Sequence, residues 1–209
     1  MKQRNIKGAT LFNPRIYHPS YLNKMSLQCD SEWERRFLID CEFDKSIKRF
    51  MTQPNSFIYT YDGKKRRFTS DVRIEYKNGS FRDIEIKDAR YSASDELDKK
   101  VAHISELLKK HQKSSLTIIT SDDIQRDPGH VTRQLLYRYM FIELPEALWK
   151  AGVKALQRSS MTISELEDRF IKLGGTRHSA WAFLAKQYSD INFSDEPQIS
   201  PLTTIKWSK

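Results

Sequence analysis

Cysteine is nearly missing from this chain: Cys29 and Cys41 are the only two, they lack a C-x-x-C spacing, and the five histidines are scattered. That excludes a disulfide framework and a zinc module, and predicts reduced thiols and no structural metal. Long apolar runs are missing as well, so no segment is expected to cross a bilayer. The opening MKQRNIKGATLF also lacks the apolar core of a secretory leader. A soluble intracellular protein is therefore expected. No repeat and no low-complexity tract interrupts the sequence. Acidic residues are absent from residues 1–29, a stretch that carries Lys2, Arg4, Lys7, Arg15 and Lys24 interleaved with Phe12, Tyr17 and Tyr21. Such a basic arm suits salt-sensitive contact with a phosphate backbone, and equally a loosely ordered terminus.

Positive charge is in excess over the whole chain. Thirty-six Lys and Arg against 27 Asp and Glu leave a net charge of +9 and a pI near 9.5. A polyanionic partner, nucleic acid first, is the expectation. The 209 residues are enough for a sizeable core and read better as two small domains than as one large one.

The segment Asp71–Lys87, DVRIEYKNGSFRDIEIK, carries the chemistry. It reads as two strands joined at Lys77-Asn78-Gly79, a three-residue loop with Gly79 left-handed. In that register Tyr76 pairs with Ser80 and Asp71 falls opposite Glu85. Val72, Ile74, Tyr76, Ile84 and Ile86 then share one apolar face, while Asp71, Asp83, Glu85 and Lys87 share the other. A two-residue loop would mix charge into the apolar face, which a half-buried sheet resists. Two carboxylates and an amine on one face suit a hard cation such as Mg²⁺, with the lysine placed to orient a water or offset charge on a phosphate. The same residues are also what a solvated hairpin face carries.

Around this hairpin, a helix is expected from Asp30 or Ser31 through EWERRFLIDCEF, burying Trp33, Phe37 and Cys41. Glu34 stands three residues after Ser31, the spacing of a capping box. Phe50–Tyr61 reads as extended around Gln53-Pro54, with Ser56–Tyr61 a strand ending at Asp62-Gly63, and Lys64–Arg67 as an exposed basic run. A helix over Ser94–His111, a buried strand over Ser115–Thr120, a loop over Asp122–Gly129 and a helix over Val131–Phe141 follow. Pro145 marks a boundary. Beyond it, helical patterns over Glu146–Gln157, Thr162–Leu173 and Thr176–Tyr188, then extended Asp190–Phe193 and Thr203–Trp207, describe a winged-helix-like domain. On its third helix His178, Trp181 and Phe183 read as core and surface rather than as base readers. The expected organisation is an arm over 1–29, an α/β domain over 30–144 with a mixed sheet flanked by helices, and a C-terminal domain over 145–209.

Taken together, S-x-x-E at Ser31–Glu34, Gln53-Pro54 leading into a strand, the aspartate of FTSD at Asp71 and E-I-K at Glu85–Lys87 resemble the restriction-endonuclease-like nucleases. The resemblance is specifically to the TnsA-type endonuclease subunit of heteromeric transposases. It covers residues 25–145, and the C-terminal domain resembles that family's own, so it is nearly full length. It implies a Mg²⁺-dependent DNA endonuclease, with Mn²⁺ as substitute, that cuts the 5′ strand at transposon ends while an integrase-like transposase cuts and joins the other. It further implies that Glu34, Asp71, Glu85 and the Ile86 carbonyl hold the metal, that Lys87 positions the water, and that the C-terminal domain meets an AAA+ regulator. A bacterial cytoplasmic, nucleoid-associated location goes with it. Ser70 stands where many members of that family have proline before the aspartate, a departure that touches turn geometry and not a ligand. Two alternatives stand beside it: a junction resolvase or restriction-type nuclease on the same core, and a non-catalytic winged-helix DNA-binding or assembly protein.

Overall fold

The computed structural model describes residues 16–54, 56–91, 95–194 and 198–208. Its chain sorts into two units: the described residues up to Glu42 with Ser46–Arg126, and Phe43–Lys45 with Asp127–Lys209. The division therefore falls at Arg126/Asp127, earlier than the expected boundary at Pro145, and three residues from the first helix region belong to the second unit. The proline does start a helix, but the helix before it already belongs with the C-terminal elements. Among the described residues no helix is long and apolar enough to cross a membrane.

The first unit opens with a hairpin, β1 (Ile16–Ser20) and β2 (Met25–Cys29), paired antiparallel. The expected loose arm is thus corrected for its second half. Alternation in MSLQC sends Leu27 and Cys29 into the core, and His18 is buried against Glu42 at 3.0 Å. Lys2, Arg4, Lys7, Phe12 and Arg15 lie outside the described residues. Helix α1 (Glu32–Phe43) follows. A four-stranded sheet runs in the order β3 (Ile47–Thr52), β6 (Val72–Tyr76), β7 (Phe81–Lys87), β8 (Ser114–Thr120). Its first two pairings are antiparallel and the last is parallel, reached through α2 (Asp95–Gln112). The chain is therefore α/β with a mixed sheet.

A separate two-stranded ribbon, β4 (Phe57–Tyr61) with β5 (Lys64–Phe68), leaves the sheet between β3 and β6. The basic run expected to be exposed is exposed and forms one of its strands. It turns at Asp62-Gly63, both with positive φ, the backbone that an Asp-Gly hairpin turn requires. A short helix, α3 (Ser121–Arg126), occupies part of the expected loop after β8.

Both faces of the sheet are covered. On one, Leu38 and Cys41 of α1 join Leu27, Phe50, Val72, Ile74 and Ile84. On the other, Ile104 and Leu108 of α2 pack with Tyr59, and with Leu116 of β8. Leu116 is the cross-strand partner of Asp83, so the acidic face of the hairpin is not solvated. Asp83 is 1 % exposed and accepts from Ser70 Oγ, Ser114 Oγ and the Arg73 guanidinium. A buried carboxylate with that many donors belongs to the scaffold.

The second unit holds α4 (His130–Tyr137), α5 (Glu146–Arg158), α6 (Ile163–Lys172) and α7 (Arg177–Lys186). A three-stranded sheet, β10 (Ile191–Phe193), β11 (Thr204–Trp207), β9 (Met161–Thr162), completes it. Capping boxes at Thr162/Glu165 and Thr176/Ser179 start α6 and α7. Helix α5 meets α7 at Gly152, where an added Cβ would lie 2.7 Å from the Phe183 ring, so only glycine admits this approach. Trp181 and Phe183 are buried while His178 is exposed, as the sequence suggested.

Candidate active site

The β6–β7 hairpin has the register expected from its loop. Val72 pairs with Ile84 and Arg73 with Asp83. Tyr76 N donates to Ser80 O at 2.9 Å, Gly79 N donates to Tyr76 O at 3.0 Å, and Gly79 has φ +84°. One step before β6, Asp71 N donates to Ile84 O at 3.0 Å, which sets Asp71 opposite Glu85. Its carboxylate reaches across, and Oδ2 accepts from Ile86 N at 2.7 Å. Asp71 is thus fixed to the E-I-K strand by its main chain and its side chain.

On that strand Lys87 Nζ donates to Glu85 Oε1 at 2.6 Å. The other oxygen, Glu85 Oε2, is buried without a hydrogen-bond partner. A buried acceptor left unpaired costs about 1–3 kcal/mol, so its position calls for a ligand that a protein donor does not supply.

Glu34 enters from the first turn of α1. Its carboxylate accepts from Asp30 N at 3.0 Å and from Ser31 Oγ at 3.1 Å, and Ser31 Oγ in turn accepts from Glu34 N at 3.1 Å. The capping role read from the sequence is realised, with one difference: the carboxylate takes the amide one residue earlier than a regular capping box does. Glu34 is 5 % exposed, and with Ser31, Trp33, Asp71, Ile86 and Lys87 it lines a cleft of about 580 Å³.

The electrostatics of this cleft disfavour negative charge. Burial first, and then the Glu85 carboxylate, push Asp71 from 3.8 up to about 7, against the opposing Ile86 N–H bond. Burial also lifts Glu34 from 4.5 to about 6, with the Asp30 N–H bond as the main opposing effect. Cys29 is an inert core thiol, pushed to about 12 by burial. A cation placed among these carboxylates would remove the repulsion and restore their charge, the converse of what raises them now.

The structure therefore brings together four of the expected residues, Glu34, Asp71, Ile86 and Lys87, along one cleft, with Glu85 tied to Lys87 beside them. Among the described residues no three His, Cys, Asp or Glu side chains form a ready-made metal-ligand group. The donor set here is smaller: two neighbouring carboxylates on the hairpin, main-chain oxygen and solvent, a set that suits an ion retaining several waters. Asp83, placed on the chemical face by strand alternation, is instead consumed by Arg73 and two serine hydroxyls. Ser70, which precedes Asp71, is one of these donors.

Two cleft acids escaped the sequence reading. Asp30 and Asp88 line the cleft as well, and Asp88 is bound by Arg90 through Nε at 2.9 Å, which holds its carboxyl below the usual range. Only its position next to E-I-K marked it. Comparison with protein-family models and with curated proteins finds no match to the chain.

Proposed function

We propose that this chain is a Mg²⁺-dependent DNA endonuclease built on a restriction-endonuclease-like core. The observation that carries the reading is the pairing of an Asp71 carboxyl pushed to about 7 with a partnerless buried oxygen on Glu85, next to the Lys87 ammonium. Asp71, Glu85 and the Ile86 carbonyl would hold the metal, with Glu34 completing the acidic wall. When bound, a divalent ion supplies an acidified water and stabilises charge developing on a phosphodiester oxygen. Lys87, now held by Glu85, would orient that water and offset the phosphate charge. The net charge of +9 favours the polyanionic substrate.

The TnsA-type resemblance extends the proposal to cleavage of the 5′ strand at transposon ends beside an integrase-like transposase, in a bacterial cytoplasm. The second unit, helices α5–α7 with the β10–β11–β9 sheet, is compatible with a winged-helix-like domain. It is assigned docking to an AAA+ regulator or the transposase. A second reading, a non-catalytic DNA-binding or assembly protein, draws on one observation: the Glu34 carboxylate is already engaged in starting α1.

Two measurements separate the readings. Nicking of supercoiled DNA in Mg²⁺, with the partner transposase added, should be lost in Asp71→Ala and in Glu85→Ala. Calorimetric titration of the wild type with Mn²⁺ should show binding that both substitutions remove. Wild-type nicking in either variant, or undiminished Mn²⁺ binding in both, overturns the assignment.

A further inference from the structure

The β4–β5 ribbon is a two-sided element whose faces do different things. Its inner face, Phe57, Tyr59 and Tyr61 with Phe68, packs on Ile104 and Leu108 of α2. His103 adds ring contacts to Tyr59 and Tyr61 at 6.0 and 5.4 Å and bonds the Thr60 carbonyl at 3.2 Å. At the base Thr69 Oγ1 donates to Ser56 Oγ at 2.7 Å. The ribbon is thus held in place by one face and closed at its root.

The other face is bare. Strand β5 begins with four consecutive exposed cations, and strand alternation puts Lys65 and Arg67 on this face while Lys64 and Arg66 fall on the side of Tyr61 and Tyr59. The register sets Lys65 opposite Thr60 and Arg67 opposite Ile58, and Ile58 is 67 % exposed. Among the described residues Lys64, Lys65 and Arg67 make no ion pair, and Arg66 lies over the Tyr61 ring at 5.7 Å. A solvated ribbon ordinarily sets opposite charges across its strands, and an edge strand needs only a cation or two to discourage pairing. Lys65 and Arg67, two apart on one face with Thr60 and Ile58 opposite and no facing acid, repel each other, and an anion would relieve that repulsion.

The ribbon also grows out of the sheet beside the cleft. Thr52, at the end of β3, pairs with Val72, and Gln53 N donates to Asp71 O at 2.9 Å. From Phe68 the chain needs only Thr69 and Ser70 to reach Asp71. Five residues at about 3.3 Å each make an arm of roughly 17 Å, long enough to cross a major groove about 12 Å wide that admits a two-stranded ribbon.

We propose that the outer face of the β4–β5 ribbon is a duplex-DNA contact, with Lys65 and Arg67 on phosphates and Ile58 at the groove, setting the backbone across the Asp71 cleft. The inference rests on the DNA part of the proposed function and not on its chemistry. Ribbon contacts of this kind position a duplex and bind it without reading sequence.

The test is binding of an end-labelled duplex of arbitrary sequence, followed by fluorescence anisotropy over a salt series in EDTA, so that cleavage plays no part. The full chain carrying Lys65→Gln with Arg67→Gln is compared with wild type, and with Lys109→Gln plus Lys110→Gln as a control for the removal of two charges. The control pair ends α2, at the Phe81/Ser114 end of the sheet and away from Lys87. Each phosphate that the protein no longer neutralises lowers the slope of log Kobs against log salt by about 0.9, so the ribbon variant should be shallower by about 2. Affinity at low salt should fall at least tenfold at an unchanged melting temperature. A slope equal to wild type, a change no larger than in the control pair, or wild-type chain that binds no duplex overturns the inference. So does loss of binding to polyglutamate with duplex binding intact, which would make the partner an acidic protein. Ribbon-dependent binding by a chain that never nicks leaves the inference standing and removes the nuclease reading. Nicking that is indifferent to the ribbon does the reverse.

Discussion

Replacing Asp71 with Asn should stabilise the metal-free protein at alkaline pH and abolish its stabilisation by Mg²⁺. The Asp71 carboxyl rises from 3.8 to about 7 because it is buried beside Glu85. A folded-state value above the unfolded one means that the native state holds the proton more tightly. The associated stability is present in full below about pH 4 and is lost as the pH climbs through 7. Three units at 1.36 kcal/mol each put the cost of ionised Asp71 at about 4 kcal/mol above that pH. Asparagine carries no charge, yet its side-chain oxygen can still accept from Ile86 N, the bond that Asp71 Oδ2 makes at 2.7 Å. For a chain of this length about 4 kcal/mol corresponds to roughly 8–16 °C in melting temperature. Scanning calorimetry in EDTA should therefore show Asp71→Asn melting above wild type at pH 8 and the two converging near pH 4. With Mg²⁺ the wild type should rise, more at pH 8 than at pH 5, and the variant should not. A variant that melts no higher than wild type at pH 8 without metal, or that gains equally from Mg²⁺, would refute the account of Asp71 as a buried charge awaiting a cation.

Glu34→Gln separates capping from chemistry: the side chain still accepts at the start of α1, so stability at pH 5 should move by under about 1 kcal/mol and rise by about 2 kcal/mol at pH 8, where the buried carboxyl lifted to about 6 would be ionised, whereas Mg²⁺-dependent nicking should fall at least tenfold. Unchanged nicking would leave Glu34 a capping residue alone. Asp83→Ala should cost about 3–5 kcal/mol, because Arg73 and two buried hydroxyls lose their acceptor together, and chemical denaturation midpoints would read it. A loss below about 1 kcal/mol would mean that the network is not a structural unit.

The hairpin was legible because two signals agreed: period-two alternation from Val72 to Ile86, and a glycine where the loop needs positive φ. That agreement placed Asp71 opposite Glu85 from the sequence alone. Alternation could not say what covers the second face. Asp83 shares a face with Asp71 and Glu85 by alternation, yet α2 and Ser114, both remote in sequence, close over it. The β1–β2 hairpin was hidden for a related reason: Pro19 and the surrounding cations mask a short strand pair whose core residues, Leu27 and Cys29, are few. Strand β5 was hidden because nothing in KKRR favours a strand by propensity. Its conformation comes from the Asp62-Gly63 turn and the aromatic partners on β4. The early boundary at Arg126/Asp127 reflects α4 packing with α7, a tertiary choice that no local breaker announces.

The membership of Phe43–Lys45 in the second unit bears on the order of synthesis. The Phe43 ring meets Tyr188 edge-on at 5.1 Å, Ser189 Oγ donates to the Phe43 carbonyl at 3.1 Å, and Lys45 pairs with Asp190. Lys45 and Asp190 stand 145 residues apart in the chain. At about 5–20 residues per second a ribosome takes roughly 7–30 s to deliver the partner. Everything the first unit needs, through Arg126, has left the ribosome well before then. Phe43, the last residue of α1, and the two residues after it must therefore wait for elements still being made. A nascent chain stalled after Arg126 should carry Phe43 as an unfilled apolar edge, a natural place for a chaperone to hold.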